Sequence, residues 1–152
     1  METKPVLRHL PTIARLLLGF IFVLFGLNGL LNFLPAPTAP MPERAIAFVG
    51  ALAATGYMFP LIKITEIIAG ALLLSNRHSA LALTLLAPII VNIVAFHVLL
   101  APSGAAVAVV VLVLEIYLAW TYRSVFRPVL AAHVKPRAAE REPSNVAAHA
   151  SA

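Results

Sequence analysis

Four stretches of this 152-residue chain are apolar over about the length that crosses a lipid bilayer, and lipid as solvent leaves few folds open. Every backbone polar group in hydrocarbon must find its partner within the protein, so only helices and closed barrels span. The first stretch, Ile13 to Leu34, reads IARLLLGFIFVLFGLNGLLNFL. The second, Met58 to Ser75, is short; the third, Ala80 to Leu100, contains Pro88; the fourth runs from Gly104 to Tyr122. The fourth includes VAVVVLVL, which in water would suggest a strand, but in lipid its length favours a helix. Composition agrees: 11% of residues are charged and 61% hydrophobic, whereas a soluble domain carries about 25% charged residues. The expected fold is all-α, an integral membrane four-helix bundle.

The first run is too long for the apolar core of a signal peptide, and the PAPTAPMP after it places proline where a cleavage site needs small residues. It therefore reads as a retained anchor. Within the following segment, Pro42 at a first turn, Glu43 at the positive end of the helix dipole and Gly56 as a stop frame a short helix over 42–56. Ile46, Val49 and Ala53 fall on one stripe with Phe48 and Leu52 beside it, a pattern for an interfacial helix that lies on the membrane or caps the bundle. A membrane domain over 1–128 is expected to precede a polar, alanine-rich and aperiodic tail over 129–152, with the composition of a disordered segment.

The +5 net charge is distributed as membrane topology requires and forms no nucleic-acid patch. Lys4, Arg8 and Arg15 lie before or at the start of the first span, Arg77 in the turn after the second, and Arg123, Arg127, Lys135, Arg137 and Arg141 after the fourth. The opposite side has Arg44 beside Glu43, so the positive-inside rule places both termini in the cytoplasm. Tyr57 and Phe59 on one side, and Trp120 and Tyr122 on the other, fit aromatic belts. The absence of cysteine excludes disulfides, thiolate catalysis and iron–sulfur ligation by this chain alone.

Against this background the polar residues inside the spans stand out. With the orientation set, Asn28 and Asn32 in the first span, Lys63 and Glu66 in the second, and Asn92 and His97 in the third come to one depth near the outer side. Each has a plain structural reading. Lys63 and Glu66 are three residues apart and can pair along their own helix, with Lys63 reaching towards the interface. Asn28 and Asn32 share a helix face and can bond neighbouring helices, and His97 near a helix end can be interfacial. The functional reading is a ligand site, because carboxylates at membrane depth are costly and face a partner or a cavity. Glu115 lies deeper, in the inner half of the fourth span, where Arg15 is the expected ion-pair partner.

A lysine, a carboxylate, a histidine and amides suit a polar head group whose tail lies against apolar walls. A quinone fits: its carbonyls accept hydrogen bonds, and its reduction needs protons that Glu66 or His97 can relay. Haem is disfavoured because His78 lies on the opposite side from His97, and a metal at His97 and Glu66 would lack further ligands. No nucleotide loop, serine elbow or zinc motif occurs.

The ordered segments ARLLLGFIFVLFGLNGL, GYMFPLIKITEIIAGALLL, NRHSALALTLLAPIIVNIVAFHVLLAP and YLAWTYRSVFRP resemble the DoxX family of small four-helix bacterial membrane proteins, from about Arg15 to Pro128. Many members carry a lysine late in the first span, where this chain has Asn28. The resemblance implies a helical bundle of the bacterial inner membrane and an association with redox physiology, since related DoxD-type proteins look like membrane subunits of quinone-reducing sulfur oxidation. The expected role is an accessory subunit that binds a quinone, with a redox enzyme or a second copy as partner. Two other classes stay open: a permeation protein for a small solute or ion, with Glu66 and Glu115 marking its path, and an assembly protein whose polar layer only locks helices together.

Overall fold

A computed structural model of the chain describes residues 5–35 and 40–127; the tail expected over 129–152 lies outside the described residues. The described elements are all helical: α1 (Pro5–Leu31), α2 (Glu43–Ala54), α3 (Met58–Leu74), α4 (Ser79–Leu99), a 3-10 turn (Pro102–Gly104), α5 (Ala105–Thr121) and the short α6 (Arg123–Phe126). His9–Leu31, Ser79–Leu99 and Pro102–Thr121 are each long and apolar enough to cross a membrane. α3 has 17 residues, about 25 Å at 1.5 Å per residue, and reaches spanning length only together with α2, from which it turns by 91°.

Local chemistry sets the ends of these helices. α1 stops where Asn32 takes a left-handed φ of 50° and donates its N–H to the Asn28 carbonyl at 2.8 Å. The Asn28 side chain then accepts the N–H of Leu34 at 2.7 Å. Asn76, with φ 55°, closes α3: its N–H bonds the Leu73 carbonyl and the next N–H, of Arg77, bonds that of Leu72. This is the paired closure typical of left-handed helix ends. At the α2–α3 corner Gly56 takes a φ of 75°, and the Thr55 hydroxyl accepts the Met58 N–H at 3.0 Å, satisfying a free donor of α3.

α1 packs on α3 and α5, and α4 packs on the same two helices, closing a ring around Leu18, Leu73, Leu83, Leu86, Ile90 and Leu118. The core is apolar but also takes in Arg15, Glu66 and Glu115, and the surface departs from that of a soluble protein: Phe20, Val91, Val113, Ile116 and Trp120 face outward. In water such a surface would aggregate; in lipid it is the solvated face. α2 sits across one end of α3 and turns Phe48, Val49 and Leu52 towards α4. Of the stripe expected for α2, Val49 faces the other helices while Ile46 and Ala53 are exposed; the packed face is centred on Ala45, Phe48, Val49 and Leu52. Small Ala45 lets the helix lie close, which a count of large apolar residues does not register.

Candidate functional site

Lys63 and Glu66, one turn apart on α3, form an ion pair in which the ammonium reaches both carboxylate oxygens, at 2.8 and 3.0 Å. Glu66 is 3% exposed and Lys63 19%, so the acid is set inside the ring and the base at its edge. Two glycines of α1 make room for them. Gly29 lies against the aliphatic stem of Lys63, where any β-carbon would overlap it. Gly26 lies against the Lys63 carbonyl and the Glu66 side chain, with a β-carbon there falling 3.1 Å and 3.3 Å away. The Lys63 ammonium also lies 5.7 Å from the centre of the Phe59 ring.

The pair stands between two cavities. The larger, about 310 Å³, is a groove between α2, α3 and α4 with walls of Phe48, Leu52, Phe59, Ile89 and Phe96, and with Lys63, Glu66 and Asn92 as its polar groups. Phe48 of α2 meets Phe96 of α4 across it, with ring centres 5.7 Å apart. The smaller, about 160 Å³, is a half-open chamber between α1, α3, α4 and α5 against Phe22 and Val111, with exposed Phe25 and Val107 at its rim, and its polar groups are Lys63, Glu66 and His97. Ile93 completes the wall that both share.

Of the six residues expected to converge on one ligand, the structure gathers four around these two spaces and divides them. Asn92 lines the groove and His97 the inner chamber. At 3.6 residues per turn, five residues along α4 rotate a side chain by about 140°, so a shared depth does not give a shared face. Asn28 and Asn32 line neither space; they form the end of α1 described above. The glycines at 26 and 29, absent from the sequence reading of the site, carry a visible signal: with Gly19 they form a spacing of seven and then three residues on α1, the pattern of a close helix contact.

The pairing of Arg15 with Glu115 is not formed. Arg15 instead donates to the carbonyl of Leu73, and at 3.4 Å to that of Leu74, at the end of α3. α3 has no basic residue in its own last turn, and the guanidinium of α1 supplies one from outside, as a second donor to the Leu73 carbonyl beside the Asn76 N–H and as a donor to that of Leu74. Glu115 is left with Oε2 buried and without a hydrogen-bond partner among the described residues. It lines neither cavity.

Apolar outward faces, helices of spanning length and buried charges define the class: a multi-pass helical membrane protein. No known protein family, curated protein or solved structure matches the chain.

Proposed function

We propose that this protein is an inner-membrane accessory subunit of the DoxX type, serving a redox system, and that the groove between α2, α3 and α4 binds the head of a quinone. The observation that carries this reading is one apolar groove with a single ion pair and a single amide in its wall. Ligand sites share that form: mostly apolar, with a few placed polar groups, and about 300 Å³ or more in volume. At about 310 Å³ the groove accommodates a ring and leaves an isoprenoid tail to the surrounding lipid. Lys63 donates to one quinone carbonyl, Asn92 to the other, and Glu66 holds the proton that a reduced head would exchange. By the positive-inside rule the groove opens on the outer half of the membrane, with α2 as an interfacial cap and both termini cytoplasmic.

Purification in lipid nanodiscs, followed by extraction and mass analysis of bound small molecules, tests this. A quinone enriched in the wild type and lost from Glu66→Gln is the expected result. Equal, unselective lipid in both, with a loss of thermal stability in the variant, would make the pair a lock between helices and end the ligand reading.

A further inference from the structure

The inner chamber is separate from the groove, and its polar groups are arranged for a different task. His97, in the last turn of α4, is held from three directions. Its Nδ1 lies 2.9 Å from the Ala101 carbonyl; a carbonyl only accepts, so Nδ1 carries the proton. The edge of the ring meets Phe96, with centres 5.2 Å apart. Gly104, in the turn before α5, lies so close that a β-carbon there would collide with the imidazole. This fixes the tautomer and leaves Nε2 as the free nitrogen, without a protein partner among the described residues.

Around the chamber, α1 and α5 contribute apolar side chains, and the titratable groups that line it are His97 of α4 and Lys63 and Glu66 of α3. On α5 the next acid, Glu115, lies one turn beyond Val111 and does not line the chamber. Three polar groups and about 160 Å³ are enough to hold several waters, since one water occupies about 30 Å³ in the liquid. Glu66 lines both spaces and, among the described residues, is the only acid in either wall.

We infer that the inner chamber is a hydrated proton-entry site: His97 takes protons from the aqueous phase beside the α4–α5 turn and passes them through chamber water to Glu66. The purpose of the route rests on the groove binding a proton-accepting ligand; the route itself does not. In the first step Nε2 accepts a proton while the Nδ1–H stays on the Ala101 carbonyl. The imidazolium returns a proton to chamber water, and that water protonates the Glu66 carboxylate, releasing Lys63 from its partner. Glu66 then gives the proton to an acceptor in the groove, and the ion pair re-forms. Protons thus reach the groove from behind, without water entering its apolar mouth.

The chain has no cysteine, so single cysteines report access without background. In sealed proteoliposomes, a small charged methanethiosulfonate reagent is added on the side where Ser103→Cys reacts. Val111→Cys and Ile21→Cys, in the chamber, are expected to react, while Val113→Cys and Ile116→Cys, on the lipid face of α5, are not. Two chamber positions guard against one variant failing to fold. Unreactive cysteines at both, in folded protein, would show a chamber closed to the aqueous phase on that side and overturn the inference. Infrared difference spectra after a pH step then follow the Glu66 carboxylate band, identified by its loss in Glu66→Gln. His97→Gln should slow that band's change by roughly tenfold or more, and an unchanged rate would remove His97 from the route. A reactive chamber and a slowed band in protein that binds no quinone would uphold the route and refute the groove's assigned ligand.

Discussion

Two buried acids of this chain differ in one respect that decides their effect on stability. Glu66 has a cation within 2.8 Å and Glu115 has an oxygen with no donor among the described residues. Removing the partner of a buried charge costs about 3 kcal/mol or more, so Lys63→Met should lower stability by that order. Lys63→Met combined with Glu66→Leu should cost less than Lys63→Met alone, because no orphan charge remains. Glu115→Leu should act in the other direction, adding about 1–3 kcal/mol by removing an unsatisfied buried oxygen. Unfolding in detergent by denaturant or heat, run on the four proteins together, measures all of these. A destabilised Glu115→Leu would mean that the acid has a partner outside the described residues. The Lys63–Glu66 pair was legible in the sequence because it is local, an i, i+3 contact that any helix makes. The fate of Arg15 was not, since its acceptors are backbone carbonyls 58 and 59 residues away that carry no sequence signature.

Among the elements, the contact of α1 with α3 is the closest, and glycine sets it. A β-carbon on Gly19 would lie 2.9 Å from the Gly70 carbonyl oxygen, and one on Gly70 would lie 2.8 Å from that of Gly19. Backbone cannot yield as a side chain does, so Gly70→Leu must push the helices apart, at about 1–3 kcal/mol, and shift Arg15 from its carbonyls. Gly50 is the counter-case: on α2 it faces open space, and Gly50→Ala should gain up to about 1 kcal/mol from helix propensity. Thermal unfolding of both variants checks the contrast, and equal effects would refute a glycine-set α1–α3 contact. The limits of α2 were readable, because Pro42 and Gly56 act within a few residues, and it runs from Glu43 to Ala54 inside the expected 42–56; the left-handed Asn32 that ends α1 was instead read as part of the span. The packed face of α2 was not readable, because an amphipathic stripe records apolar side chains and not the small residue that permits approach.

For the whole molecule, the span Ser79–Leu99 alone leaves Ser103 and Asn76 on opposite sides of the membrane, and the proposed orientation, with both termini cytoplasmic, puts Ser103 outside. Ser103→Cys should therefore react with an impermeant thiol reagent on intact cells, and Asn76→Cys only after permeabilisation; labelling of both from outside would overturn that path. Hydropathy alone determined that the chain is helical and made for lipid, since backbone groups in hydrocarbon have no other solution. The order of spans and charges likewise set the expectation that certain polar residues share a depth, because depth along a straight helix is linear in sequence. Tertiary structure decided everything that depends on rotation and approach. It split Asn92 from His97 onto two sides of α4, placed the Lys63–Glu66 pair as a wall between a groove and a chamber, and sent Arg15 to α3 and away from Glu115. The physical reason is that a side chain's neighbours across a helix contact depend on how the helices turn and how near they come. Those quantities are set jointly by glycines at 19, 26, 29 and 70 and by the packing of the remaining helices, and no single segment encodes them.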